Sequence, residues 1–185
     1  MNFAKHYNLK DQHALLGASK YQWIRYSDDK IAELYFANKA KEEGTRIHAL
    51  ASELIDLGIK LPDNKKTLNM YVNDAIGYKM ETEQVLYYSM NCFGTADAIC
   101  FRNNMLRIHD LKTGKIPAHF EQLMIYAALF CLEYDFKASD IDMELRIYQS
   151  NDYLVMKPEV DDIVPIIDRI VTADKIISSI QIGEK

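Results

Sequence analysis

The chain has 185 residues, 49% of them hydrophobic and 26% charged, a balance that fits one soluble globular domain with a real core and excludes a disordered chain. Its net charge of -5 lacks the basic excess typical of nucleic-acid binders, although a centre built of carboxylates and divalent ions can reverse the local sign. No apolar run reaches the roughly 20 residues needed to span a bilayer.

The first residues, Met1 to Lys10, are polar and carry Lys5, His6 and Lys10. They do not read as a signal peptide, so the expected compartment is the cytoplasm, with no membrane partner. Ser19 is a candidate cap for a short helix carrying Tyr21, Trp23 and Ile24. From Lys30 to Leu57, apolar residues such as Ile31, Leu34, Ile47, Leu50 and Leu54 recur at helical spacing, and Gly44 marks a possible break. Gly58 to Lys66 reads as a loop. A further helix is predicted from about Lys66 to Tyr78.

The period then changes. Glu83 to Ser89, Cys92 to Phe101 and Met105 to Lys112 read as strands, with Arg102-Asn103-Asn104 as a hairpin turn between the last two. A helix is predicted from about His119 to Tyr134. Strands follow at Ile141 to Gln149 and Tyr153 to Lys157, then a closing helix from Val160 to Ser179. This order, helices–βββ–α–ββ–α, implies an α/β sandwich around one central mixed sheet flanked by helices. The chain reads as a single domain over 1–185, with a helical part at about 1–80 and the sheet and its helices at about 81–185.

Four stretches carry candidate chemistry: Gly44-Thr45-Arg46-Ile47-His48 on a helix, Gly94-Thr95-Ala96-Asp97 on a strand, Asp110-Leu111-Lys112-Thr113-Gly114 at the end of the next strand, and Gln122-Leu123-Met124-Ile125-Tyr126 on the helix after it. Strand alternation puts Asp110 and Lys112 on one face and Leu111 on the other. If Asp97 meets them there, two carboxylates and an ammonium converge, and the carboxylates repel unless a cation lies between them. Mg2+ takes oxygen ligands of this kind; an imidazole from His48 tilts preference toward Mn2+. Such a centre suits phosphodiester hydrolysis, with Lys112 orienting or deprotonating the attacking water or stabilising the charged transition state. Gln122 and Tyr126, four apart, share a helix face.

Together and in order, these stretches resemble the motifs of the RecB-like branch of the PD-(D/E)XK nucleases, from about Ala18 to Gln149, and are most similar to the small exonucleases of phages and CRISPR systems. The resemblance implies a restriction-endonuclease-like core and a metal-dependent DNA nuclease, an exonuclease serving recombination, repair or mobile-element replication. It implies His48, Asp97 and Asp110 as metal ligands together with the backbone carbonyl of Leu111. It likewise implies Lys112 as the catalytic lysine, with Gln122 and Tyr126 expected to position DNA or that lysine. A structure-specific endonuclease would carry the same site, and an inactive DNA-binding or regulatory module on the same fold is the alternative. A helicase or recombination partner would have to be a separate chain, and a homo-oligomer is compatible with the family.

The remaining polar residues carry weaker signals. Cys92, Cys100 and Cys131 are too few for the iron–sulfur cluster of some relatives and read as small buried residues. His6, His13, His109 and His119 lack zinc spacing, and His109 is expected to point away from Asp110. Glu53 is a candidate additional acid near His48. Lys20 and Arg25, beside Tyr21 and Trp23, are candidate DNA contacts by phosphate pairing and stacking, as is Arg146 on a strand with Tyr148 and Gln149.

Overall fold

A computed structural model describes residues 3–183, so the two residues at each end of the expected 1–185 domain lie outside the description. The chain divides into two compact units, Met1–Thr45 and Arg46–Lys185. The first contains two 3-10 segments, Tyr7–Leu9 and Ala18–Arg25, and the beginning of a long helix, α1 (Asp28–Asp56). The 3-10 segment at Ala18–Arg25 follows Gly17 without a side-chain cap, so Ser19 lies inside it rather than before it. Trp23 is pinned there by its indole N–H, which donates to the Gly17 carbonyl at 3.1 Å. Gly44 does not break α1, which runs 29 residues without interruption. One glycine costs about 1 kcal/mol in a helix, too little to split a helix held by tertiary packing.

The second unit contains the rest of α1, then α2 (Thr67–Tyr78), β1 (Glu81–Ser89), β2 (Cys92–Arg102), β3 (Met105–Leu111), α3 (Glu121–Glu133), a 3-10 turn at Ala138–Asp140, β4 (Asp142–Gln149), β5 (Asp152–Met156) and α4 (Val160–Gly183). The strands form one mixed sheet in the order β1-β2-β3-β4-β5. Only β3 and β4, separated by α3, run parallel; the other neighbours are antiparallel hairpins. Asn103-Asn104 and Ser150-Asn151 make two of the turns, with φ of 51 and 61° and of 55 and 61°. Positive φ at both central residues is what matches a two-residue loop to the strand twist. An α/β architecture with a five-stranded mixed sheet flanked by helices is thus present as expected.

Two apolar clusters cover the two faces. One joins Leu86, Ala96, Ile108, Leu145 and Ile147 of the sheet to Leu123 and Ala127 of α3 and Ile163 and Ile170 of α4. The other joins Ala98, Cys100, Leu111 and Tyr148 to Ala51 and Ile55 of α1 and Tyr71, Val72 and Ala75 of α2. Each fully buried Leu or Ile contributes on the order of 1.5–3 kcal/mol, so these faces fix the helices against the sheet. No helix among the described residues is long and apolar enough to cross a membrane.

Candidate metal centre

The centre forms where the β1–β2 ladder skips one pair and the β2–β3 ladder ends. On β1 the Thr82 hydroxyl faces α1, donating to Asp56 Oδ1 at 2.8 Å with Ser52 Oγ also 2.8 Å away. Leu86, an even number of residues further on, packs in the cluster with α3. On β2, Gly94 and Ala96 meet that same side, whereas Ala98 and Cys100 belong to the α1–α2 side. Strict alternation puts residues an even number apart on one face, so both strands change phase. The changes coincide at Glu83 and Asp97. Thr82 pairs with Ala98 and Gln84 with Ala96, leaving Glu83 and Asp97 opposite one another without a ladder pair. Glu83 has φ 50°, a left-handed conformation that costs a non-glycine residue about 1–3 kcal/mol and is kept only where the surroundings impose it.

The β2–β3 ladder lapses at the same level. It reaches Ala98 and His109, and continuing that register sets Asp97 opposite Asp110. The Leu111 N–H is taken by Asp97 Oδ2 at 2.9 Å, a carboxylate standing in for a strand carbonyl. Glu83, Asp97 and Asp110 therefore form a row of three carboxylates across β1, β2 and β3.

Asp110 is buried, and Lys112 Nζ donates to its Oδ1 at 2.9 Å. Its other oxygen, Oδ2, is buried with no hydrogen-bond partner among the described residues. Lys112 Nζ also donates to Gln122 Oε1 at 2.9 Å, and Gln122 Nε2 donates to the Tyr126 hydroxyl at 2.9 Å. The chain Asp110–Lys112–Gln122–Tyr126 thus ties the end of β3 to the first turns of α3. Gly94 belongs to it as well: a Cβ there would lie 2.8 Å from Tyr126 Cε1. The glycine of the Gly-x-x-Asp stretch is needed because the Tyr126 ring lies against its backbone.

His48 approaches from α1, its Nδ1 3.4 Å from Asp97 Oδ2. That contact with Asp97 raises the His48 pKa against the opposing effect of burial. Burial and the Asp97 charge push Asp110 upward, with Lys112 opposing. Burial and Asp97 do the same to Glu83, with His48 opposing. The upward shifts of Asp110 and Glu83 have the sign expected of neighbouring like charges, and that of His48 the sign expected beside a carboxylate; excess negative charge of this kind is what a cation relieves. His48, Glu83 and Asp97 each offer a ligand atom within 4.8 Å of the others. Three carboxylates, one of them with an oxygen that has no hydrogen-bond partner, and one imidazole make a donor set that fits a small, oxygen-preferring divalent cation.

The expected residues do not all meet in the expected way. His48 and Asp97 come together, but the third group sharing their space is Glu83, while Asp110 stands beside them with one oxygen turned to Lys112. Glu83 is absent from the sequence motifs because it lies on a third strand and in an irregular conformation. Its one signal is a carboxylate near the start of the strand that pairs with the Gly-x-x-Asp strand. Glu53 is exposed on α1 and is not one of the three. Arg146, a candidate DNA contact, has its guanidinium engaged inside the protein. Its guanidinium donates to Asp74 Oδ2 at 3.0 Å, to the Tyr78 hydroxyl at 2.8 Å and to Glu144 Oε1 at 3.0 Å. Gln149 holds the loop after Lys112, donating to the Gly114 and Ile116 carbonyls and accepting from the Ala118 N–H. Lys20 and Arg25 are exposed residues of the first unit. His109 is fully buried beside Tyr78 and Tyr148; burial, aided by Arg146 and Arg107, lowers its pKa to about 3 and keeps it neutral.

Residues 78–153 are similar to a family described as a protein of unknown function, DUF2800. The match spans β1 to the start of β5, so it takes in Glu83, Asp97, Asp110, Lys112, Gln122 and Tyr126 and leaves out His48. No solved structure matches the chain.

Proposed function

We propose that this protein is a divalent-metal-dependent phosphodiester hydrolase acting on DNA, built on the restriction-endonuclease-like plan that its four motif stretches resemble. One observation carries the reading: Glu83, Asp97 and Asp110 line up where two strand ladders lapse together, with His48 on one side and Lys112 on the other. The arrangement combines a left-handed Glu83, unpaired strand positions and crowded carboxylates, costs in stability that a bound cation would offset in part.

His48, Glu83, Asp97 and Asp110, with the main chain at Leu111, would hold Mg2+ or Mn2+. Such an ion would supply charge neutralisation for the phosphate and acidify a water for attack at neutral pH. The remaining work falls to side chains of this protein. Lys112 commits two of its three N–H groups to Asp110 and Gln122, which fixes its direction and leaves one for a phosphate oxygen or the attacking water. Gln122 and Tyr126 hold that geometry, and Gly94 lets the Tyr126 ring into place. Hydrogen bonds committed before the substrate arrives need no rearrangement during reaction.

The test is incubation of linear and circular DNA, single- and double-stranded, with Mg2+ or Mn2+ and with chelator. Cutting that requires the metal and is lost in Lys112→Ala is expected. Loss of linear DNA alone identifies an exonuclease; nicked circles identify an endonuclease. Binding without cutting by the wild-type protein would overturn the reading in favour of an inactive DNA-binding module.

A further inference from the structure

Beside the centre lies a cavity of about 350 Å3 that none of the four motif stretches accounts for as a whole. Its apolar floor is made by Ile47, Leu68 and Leu111, and its rim by Lys112, Lys115 and Ser150. It borders the centre through Ile47, the neighbour of His48, and through Leu111 and Lys112, which follow Asp110. In a protein with net charge -5, this cavity has two lysines and no carboxylate in its lining. The lysines divide the work. The Lys112 ammonium is turned to Asp110 and Gln122, so its alkyl stem is what it offers to the cavity, and the exposed Lys115 supplies the charge.

The walls are held in place by contacts of their own. Gln149 clasps the Gly114–Ala118 segment from β4. The Ser150-Asn151 turn is locked to the start of α2, because the Asn151 N–H donates to Thr67 Oγ1 at 2.7 Å and Asn151 Oδ1 accepts from the Thr67 N–H at 3.3 Å. Both walls of the cavity are thus tied to the same strand end, next to the residues of the centre.

An apolar floor, hydroxyl and ammonium groups at the rim, and a volume at the lower end of that of small-molecule sites suit one nucleotide. We infer that this cavity holds the nucleotide flanking the scissile phosphate, with its sugar and base against Ile47, Leu68 and Leu111 and its outer phosphate on Lys115. The inference rests on the nuclease reading for its biological meaning, but the binding can be measured without catalysis. It makes Lys115 and Leu68 substrate-positioning residues.

The experiment is titration of thymidine 5′-monophosphate into the wild-type protein, Lys115→Glu and Leu68→Glu, followed calorimetrically, with circular dichroism to check folding. In parallel, the wild-type protein is assayed for Mn2+-dependent hydrolysis of bis(p-nitrophenyl) phosphate, a probe too small to need the cavity. Binding weakened at least ten-fold in Lys115→Glu is the expected result, and Lys115 is exposed enough that its substitution does not threaten folding. If the small diester is hydrolysed but the mononucleotide fails to bind, or binds Lys115→Glu as tightly as wild type, the cavity is not a nucleotide site and the nuclease reading stands. If the mononucleotide binds through Lys115 but no diester or DNA is hydrolysed, the cavity is a nucleotide site and the nuclease reading falls. Neither binding nor hydrolysis overturns both.

Discussion

Asp97 Oδ2 accepts a hydrogen bond from the Leu111 main-chain N–H at 2.9 Å, so a side chain completes a position that a strand carbonyl would otherwise fill. This one contact fastens the end of β3 to β2 beyond their last ladder pair and holds Asp97 level with Asp110. It also leaves Asp97 with His48 at 3.4 Å on the same oxygen. The carboxylate is both a structural joint and a candidate ligand.

The two roles of Asp97 separate in Asp97→Asn, which keeps an oxygen to accept the Leu111 N–H and removes the charge. Wild-type protein is expected to gain thermal stability on addition of Mn2+, since an ion at 100 times its dissociation constant adds about 2.7 kcal/mol. Asp97→Asn is expected to be at least as stable as wild type in chelator, to show little of the Mn2+ gain, and to lose DNA cutting. Thermal unfolding with and without Mn2+ checks this. An equal Mn2+ gain in both proteins would remove Asp97 from the ligand set.

Lys112→Ala should slow cutting by about 10²–10⁴-fold, the usual contribution of a positioned proton-transfer or charge-stabilising group. Gln122→Ala leaves Lys112 charged but less firmly aimed, so a smaller loss in kcat is expected. Single-turnover rates at saturating Mn2+ order the variants, and a Gln122→Ala defect larger than that of Lys112→Ala would contradict this hierarchy.

Gly94→Ala tests the contact between β2 and α3. The added methyl lies too close to Tyr126 Cε1 at 2.8 Å, so the ring must turn and its hydroxyl leaves Gln122. A stability loss of about 1 kcal/mol, the scale of one hydrogen bond, is expected together with slower cutting. The Tyr126→Ala change removes the obstacle. In a double-mutant cycle the two effects are expected to be strongly non-additive, and simple additivity in urea unfolding would refute the contact.

Arg146→Ala separates internal from surface arginines. Its removal leaves buried Glu144 with Arg107 alone, at 3.4 Å, and partly exposed Asp74 with the Tyr148 hydroxyl at 2.6 Å. Roughly 3 kcal/mol of destabilisation is expected, the lower end for breaking a buried pair because each carboxylate keeps one partner. The KM for DNA should be unchanged well below the melting temperature. An unaltered urea midpoint with a raised KM would instead return Arg146 to the DNA surface.

Much of the architecture is legible in the residues. The shift from 3.6-residue to two-residue periodicity between Tyr78 and Glu83, and the Asn103-Asn104 turn, locate the helices and strands to within a few residues. Asp110 and Lys112 on one face, and Gln122 and Tyr126 on one helix side, follow from local periodicity alone. Glu83 does not, because its part depends on a register between β1 and β2 and on a backbone angle that a strand does not predict. The internal partners of Arg146 are hidden for a related reason: Asp74 and Tyr78 come from a helix some seventy residues earlier.

The sequence by itself determined the order of elements, the residue types at the centre and the spacing that puts neighbours on a common face, since these depend on local geometry repeated along the chain. Only the tertiary structure decided which carboxylates share a space and where the strand ladders lapse beside them. It also decided which cations are committed to internal partners, and that Ile47, Leu68 and Lys115 line one cavity. These depend on packing between segments distant in the chain, where burial and competing charges, rather than local propensity, set the outcome.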